Sequence, residues 1–506
     1  MQLKLGIPAF VRMDWTLGFS LVLFALQIAS GTGVLFAQLV FVFTMLLAIT
    51  VNVLGGLRTV SGLCVAVFGL KTVVVSQVGK ACFWEPADLE LSEPITTLLV
   101  LLCGLAGITV AACVTRPFRP RESFLTAFQD EESLGVAAWL TSAIGFVSMF
   151  GMLAIGGAED GVIRVGGLTG LLRQLSFTMK LAIVFATAHT IVRSNGRSAI
   201  GWLNAAAMFV MFLFGLLTAS KQMMFEPVLL FAVTAVAFGF AFRAVHFAGF
   251  VALGILAQAV LYPFAQVARN YVRGYGVLES LQQTGEFVGT LMRSGRPLAQ
   301  LRAAQEADEK ISDEGQFYFH GASGFLGRFS MIKPVDILVT ETLHDGGSGW
   351  ETISHGFRML MPRFLNPSKP ANNTGNFLGH KAKLLGDNDE GTQVSFGFIA
   401  DSFSAFKWWG VFLAPCLLMS AFVLVYRALT GPFERNVWCS FLICDFQHSF
   451  AEQPIASMLI SVVLAPVSYY AINQAIIIVH TWNRRQRPFN FGDLAESRAR
   501  AIADSH

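Results

Sequence analysis

The stretch "GFIADSFSAFKWWGVFLAPCLLMSAFVLVYR", Gly397–Arg427, opens polar and aromatic and runs without a break into a long apolar segment. A helix crossing about 30 Å of hydrocarbon needs roughly 20 apolar residues, and 405–427 supplies them. Trp408 and Trp409 stand where an interfacial aromatic belt belongs. Asp401 and Lys407 fall just ahead of the span. An acidic residue there has two readings. It favours the positive end of a helix that starts nearby, or it does chemistry at the membrane surface, since ionisable groups are kept near membrane helices mainly for function.

The rest of the chain agrees with a membrane setting. Of 506 residues, 54% are hydrophobic and only 14% charged, against about 25% charged in soluble domains. The mean hydropathy is +0.58. The chain reads as an all-α polytopic membrane protein. A net charge of +3 carries no basic face of the kind nucleic-acid binders show, which excludes that class. The seven cysteines fall mostly inside apolar runs (Cys64, Cys103, Cys113, Cys416), with no CxxC pair and no zinc spacing, so neither disulfides nor a structural metal is expected. The first apolar run follows "MQLKLGIPAFVRMDW" without a small-residue cleavage site and reads as an uncleaved span.

Scanning outward gives about twelve candidate spans: 15–31, 34–54, 58–79, 95–115, 136–156, 168–191, 199–219, 225–243, 247–266, 405–427, 436–450 and 456–480. The organisation is then an N-terminal bundle of about nine spans over 1–266, a loop at 267–404, C-terminal spans at 405–480 and a tail at 481–506. Lys and Arg in short loops favour the cytoplasm. Lys4/Arg12, Arg58, "TRPFRPRESF", Arg193/Arg197, Arg243, "RALTGPFER" and "NRRQRP" all fall on one side of a twelve-span chain. "EPADLELSEP", "GAEDG", "ASKQMMFEP" and "FAEQP" fall on the other. This agreement uses a criterion that did not select the spans. It puts both termini in the cytoplasm and 267–404 outside. A loop of that length is expected to be functional. Near its start Leu278, Leu281, Phe287, Leu291 and Met292 are spaced for an interfacial helix on the bilayer. No repeat of fixed period, phosphate-loop or zinc-protease motif is present.

Four cations stand within or beside spans: Lys71, Arg173, Lys180 and Lys221. Lys71 lies 13 residues beyond Arg58, in the outer half of its span at about 1.5 Å per residue. Arg173 lies near the outer end of the sixth span and Lys221 in an external turn. Cations gathered at the outer surface, with Glu226 read as interfacial, suit an anionic ligand such as a lipid pyrophosphate. The plainer alternative is that Lys71 and Lys180 snorkel to the interface. The loop adds Arg328, Lys333, Asp336 and Glu341 from "GRFSMIKPVDILVTET". It further adds His355, Arg358, Arg363 and Lys369 from "ISHGFRMLMPRFLNPSKP", and His380 from "NNTGNFLGHKAKLLG". Histidines and carboxylates are the usual proton acceptors, and Arg and Lys the usual clamp on phosphate charge. A loop histidine is more often structural than catalytic.

Three stretches, "SKQMMFEP", "MPRFLNPSKP" and "VSFGFIADSFSAFKWWGVF", resemble the O-antigen polymerase family, the Wzy-type oligosaccharide repeat-unit polymerases. The likeness covers the architecture of the whole chain and, in motif, 219–227 and 321–412. Two positions depart from the family's pattern: Asp401 stands where relatives often have Glu, and Lys221 where many have Arg. The resemblance implies a GT-C-like polymerase/ligase architecture and a multi-pass protein of a bacterial inner membrane. The implied activity is metal-independent glycosyl transfer at the outer face, with no cofactor. The growing glycan leaves undecaprenyl pyrophosphate and joins the terminal hydroxyl of an incoming lipid-linked unit. On this reading Lys221, Arg328 and Arg363 clamp the leaving group with Lys369 in support, and Arg173 and Arg358 add to the binding set. Asp401, His380 or His355, in falling order, is the base. The partners implied are undecaprenyl-pyrophosphate-linked oligosaccharide and membrane lipid; whether a chain-length regulator attaches stays open. An O-antigen ligase acting on a lipid A-core acceptor shares these features. A lipid-linked-sugar transporter is disfavoured by the missing repeat.

Overall fold

The computed structural model describes residues 2–4, 6–118, 120–155, 168–218, 220–256, 330–361, 373–389, 392–431, 433–447 and 449–486, with scattered positions between 260 and 319. The expected interfacial helix at 278–292, Arg328, Arg363, Lys369 and the tail beyond 486 lie outside the described residues, apart from isolated positions in the first.

Each of the twelve apolar stretches carries helix. In chain order these are α1 (Met13–Ala29), α2 (Val34–Val53), α3 (Val60–Cys82), α4 (Pro94–Thr115), α5 (Glu131–Ile155), α6 (Leu168–Leu175), α7 (Thr178–Arg193), α8 (Trp202–Leu217), α9 (Lys221–Ala237) and α10 (Ala244–Leu256). The loop contributes α11 (Ile332–Asp345), α12 (Glu351–Leu360) and α13 (Thr374–Lys381). Then follow α14 (Gly397–Leu429), α15 (Val437–Phe446), α16 (Ser449–Glu452) and α17 (Ile455–Gln486). The chain is a helical membrane protein. Among the described residues six helices, α2, α3, α4, α5, α14 and α17, are long and apolar enough to cross a bilayer, and α1, α8 and α10 are shorter apolar helices. The described helices thus establish six spans by length and composition and leave the number twelve unconfirmed. The stretch 168–191 breaks at Ser176–Phe177 into α6 and α7, and 436–450 yields the ten-residue α15 and the four-residue α16. Besides helix, the described residues form one antiparallel ribbon, β1 (Gln2–Lys4) on β2 (Ala241–Arg243), with Gln2 opposite Arg243.

Helix ends sort the connecting segments into two groups, and charged loop residues cap some of those ends. Helices leave unsatisfied N–H groups and positive dipole at one end, carbonyls and negative dipole at the other. At one end, acidic loop residues meet helix N-termini. Asp88 Oδ2 accepts from Gly33 N at 2.9 Å ahead of α2, Asp336 accepts from Ser92 N and Glu93 N at 2.8 and 2.9 Å ahead of α4, and Asp401 Oδ2 accepts from Ile455 N at 2.8 Å to start α17. At the other end, basic residues meet C-termini. The Arg427 guanidinium donates to Thr115 O at 2.7 Å and Leu54 O at 3.0 Å, the last carbonyls of α4 and α2. Arg58 pairs with Glu434 and donates to Ile7 O. We call these the loop end and the basic end. Capping does not follow that sorting everywhere: Asp130, at the basic end, accepts from Ser133 N at 2.8 Å and caps the start of α5.

The tenth candidate span starts earlier than hydropathy places it. Helix α14 begins at Gly397, and its axis breaks at Phe406–Lys407, where Lys407 has φ 51. Twenty residues separate Lys407 from Arg427, about 30 Å of helix, which is one hydrocarbon thickness. The part before the break therefore belongs to the layer above the bundle. Carbonyls at its end find partners in the loop: Ser348 N donates to Ser404 O at 2.6 Å and Gly349 N to Ala405 O at 3.1 Å. Gly347 permits this approach, because a Cβ there would lie 2.8 Å from Ser404 O.

Candidate functional site

The described part of 267–404 packs onto the loop end. Helix α3 contains a π turn at Leu70–Val74, and such turns are frequent at functional sites. There the Lys71 carbonyl accepts from Met331 N at 3.1 Å, and Ser76 bonds Ser330 at 2.9 Å one turn further on. Tyr318 donates to Ala87 O at 2.6 Å and receives Gln77 Nε2 at 3.0 Å. Lys80, wholly buried, pairs with Glu85 at 2.6 Å and lies 4.9 Å from the Tyr318 ring. Asp336, also wholly buried, takes Thr97 Oγ1 at 3.0 Å besides the two backbone donors, and Lys333 reaches the Glu90 carbonyl. Lys333 and Asp336, read in sequence as part of a polar catalytic supply, fasten the loop to α4.

Asp401 occupies the centre of this layer. Its carboxylate is 0% exposed. Oδ2 is held by Ile455 N, while Oδ1 has no hydrogen-bond partner among the described residues. The buried Thr352 of α12 interacts with the same carboxylate. Gly356, one turn along α12, brings that helix against α17: a Cβ there would sit 2.9 Å from Ala456 Cα. Lys381, at the end of α13, is within electrostatic reach of Asp401. Burial pushes the Lys381 ammonium below the ordinary lysine value, while Glu351, Asp401 and Asp345 pull it back up. The neighbouring Lys71–Glu452 ion pair joins the π turn of α3 to α16, three residues before α17. The arrangement can accept a proton or bind a hydroxyl at Asp401 Oδ1, with cations near it. In this conformation the carboxylate is sealed from solvent.

The other nominated residues are distributed around this centre. His355 lies half-buried on α12, and Arg358 is exposed three residues on. His380 is half-buried with Nε2 2.9 Å from the Asp389 carbonyl, a contact that fixes a turn of the loop. Lys221 opens α9 behind the Ser220 cap. Arg173 lies on α6, with its side chain outside the described residues. The structure thus brings Asp401, Thr352 and Lys381 together, with α12 carrying His355 and Arg358 alongside.

Two of the cations read as gathered for an anionic ligand, Lys71 and Lys180, have carboxylate partners. Lys180 neither snorkels nor faces an anionic ligand. Its Nζ lies 2.7 Å from Glu226 Oε1 and 2.9 Å from Asp445 Oδ1, and Glu226, expected at the interface, is buried. Tyr469 donates to Asp445 Oδ2 at 2.9 Å and Gln222 reaches Glu226 Oε2 at 3.4 Å. The three charges lie 13, 11 and 8 residues from the basic-end termini of α7, α9 and α15, or about 20, 16 and 12 Å, near mid-depth of a bilayer. Helix interruptions surround them: the α6/α7 break, Pro227 inside α9, and the end of α15. Lys71 too has its carboxylate, Glu452. The missed residues are Asp445, Glu452, Thr352 and Lys381. Asp445 was detectable as a carboxylate inside the apolar stretch 436–450, whereas Thr352 and Lys381 carry no local signal.

Comparison with protein families, curated proteins and solved structures finds no match for the chain.

Proposed function

We propose that the chain polymerises lipid-linked oligosaccharide repeat units, of O-antigen or exopolysaccharide type, at the outer face of a bacterial inner membrane. In this reading the loop end is periplasmic, the basic end and both termini are cytoplasmic, and the spans form a GT-C-like bundle of about twelve. The hydroxyl oxygen of the incoming unit attacks the anomeric carbon of the growing glycan. The bond from that carbon to the pyrophosphate oxygen breaks, the undecaprenyl pyrophosphate leaves with the electron pair, and the hydroxyl proton passes to the base.

The observation that carries the reading is Asp401: a sealed carboxylate above the membrane surface, one oxygen tied to a helix N-terminus, with the buried Thr352 beside it and Lys381 in reach. Asp401 is the base in this proposal. His380, tied to a backbone carbonyl, and His355 follow it. The pyrophosphate clamp of Lys221, Arg328, Arg363 and Lys369, with Arg173 and Arg358, rests on the family resemblance and on the suitability of Arg for phosphate oxygens. The purified protein is expected to lengthen a lipid-linked oligosaccharide with neither ATP nor an ion gradient, and Arg363→Ala to abolish chain growth while the protein still inserts. Normal long-chain glycan from that variant at wild-type abundance removes the clamp assignment. Transfer onto a lipid A-core acceptor instead of onto a second repeat unit makes the enzyme a ligase.

A transporter of the same lipid-linked sugars is favoured by one observation, the Lys180–Glu226–Asp445 cluster at mid-depth among interrupted helices, where transporters hold their substrates and coupling ions. Translocation of the lipid-linked sugar without formation of a glycosidic bond decides for that reading.

A further inference from the structure

A cavity of about 1050 Å³ opens at the basic end, among the last turn of α7, the turn that follows it, the end of α9, β2 and α10. Among the described residues three arginines line it, Arg197, Arg243 and Arg435, together with His246, and no Asp or Glu does. All three arginine side chains are exposed, and among the described residues none of them makes a hydrogen bond or ion pair. The remaining wall is largely apolar, with Met208, Phe231, Phe238, Phe240, Phe250 and Leu253.

Basic residues beside helix C-termini ordinarily satisfy the terminal carbonyls. That does not account for these three. The last carbonyls of α7 are taken by backbone N–H groups, Ser194 to Thr190 O at 3.0 Å and Gly196 to Ile191 O at 2.8 Å. Those of α9 are taken in the same way, Phe240 to Ala235 O at 2.9 Å and the Arg435 backbone N to Ala237 O at 3.0 Å. The guanidinium groups therefore remain available to a ligand. His246 adds a donor: its Nδ1 accepts Arg243 N at 2.8 Å, so the neutral ring carries its proton on Nε2. Beside the cavity, α10 buries none of its residues, and Val245, Val251 and Ile255 are each more than 60% exposed. An apolar helix in that state faces lipid.

We infer that this cavity holds the phosphate headgroup of an anionic phospholipid from the leaflet facing the basic end, with its acyl chains along the phenylalanine wall and α10. Three forked cations, with no carboxylate in the described lining, suit a phosphate that bears net negative charge, and basic pockets between membrane helices on the cytoplasmic side are where such headgroups bind. The inference is independent of the proposed enzymatic activity. The site lies at the opposite end of the bundle from Asp401.

The full-length protein, purified in mild detergent and stripped of lipid, is titrated with dioleoyl-phosphatidylglycerol, with dioleoyl-phosphatidylcholine and with inorganic phosphate, reading bound lipid by native mass spectrometry and thermal stability in parallel. Phosphatidylglycerol is expected to bind saturably and to raise the melting temperature; phosphatidylcholine and inorganic phosphate are not. Each arginine near a membrane surface adds about a fivefold preference for anionic lipid. Single Arg197→Gln, Arg243→Gln and Arg435→Gln variants are thus expected to weaken binding about fivefold each, and the triple variant on the order of a hundredfold. Arg116→Gln, exposed at the same end but outside the cavity, leaves it unchanged. Wild-type affinity in all three single variants, equal binding of phosphatidylcholine, or displacement by inorganic phosphate overturns the inference. The single variants keep the test readable if the triple variant does not fold.

Discussion

Replacing Lys180 by Met tests how the bundle tolerates its central charges. The ammonium sits 2.7 Å from one carboxylate and 2.9 Å from another. At an effective dielectric constant of about 20, each such contact represents roughly 6 kcal/mol of gross attraction, most of it offset by the cost of taking the ions out of water. Met keeps the length of the stem but leaves Glu226 and Asp445 facing each other uncompensated. Breaking a buried pair in this way costs about 3–5 kcal/mol, whereas neutral replacement of a whole buried cluster is often harmless or stabilising. Lys180→Met is therefore expected to lower the melting temperature in detergent by on the order of 10 °C. The triple variant Lys180→Met, Glu226→Gln, Asp445→Asn should recover most of that loss. Scans at one fixed rate make the comparison valid for a protein that unfolds irreversibly. A single variant as stable as wild type, or a triple variant no better than the single, refutes the reasoning that the cluster is an electrostatically closed unit.

At Asp401, Asn can still accept the Ile455 N–H, so Asp401→Asn should fold normally while slowing chain growth by about 10²–10⁴-fold in the lipid-linked oligosaccharide assay; wild-type growth would reduce Asp401 to a helix cap. Asp336→Ala orphans the Ser92 and Glu93 N–H groups and the Thr97 hydroxyl, at about 1–3 kcal/mol for each group left buried, and should speed protease cleavage within 267–404; an unchanged cleavage rate would mean the loop is fastened elsewhere. Lys381 is depressed mainly by burial, so the folded state gives up its proton before the unfolded state does, and stability contributed by this group rises with pH as it passes from the folded value towards the ordinary lysine value. Lys381→Met should remove that alkaline gain in melting temperature; the same slope in variant and wild type would reject the assignment.

The position of the helices was legible because hydrocarbon burial acts residue by residue, and each apolar stretch from 15–31 to 456–480 does carry helix. Their interruptions were less legible. The break at Ser176–Phe177 and the π turn at Lys71 are held by contacts made elsewhere, the latter by Met331, about 260 residues further on. Asp401 was conspicuous in sequence as a carboxylate ahead of a span. Its role as partner of Ile455 was not, since 54 residues separate them. The pairing of Lys180 with Glu226 and Asp445 needed three helices brought together.

The amino-acid sequence by itself determined that this is a helical membrane protein with charge-sorted connections, because water-to-lipid transfer and the loop-charge bias are summed over local segments. Tertiary structure alone decided which carboxylate answers which cation. Ion pairing acts over a few ångströms between residues up to 381 positions apart, as between Lys71 and Glu452, and no local pattern records that distance.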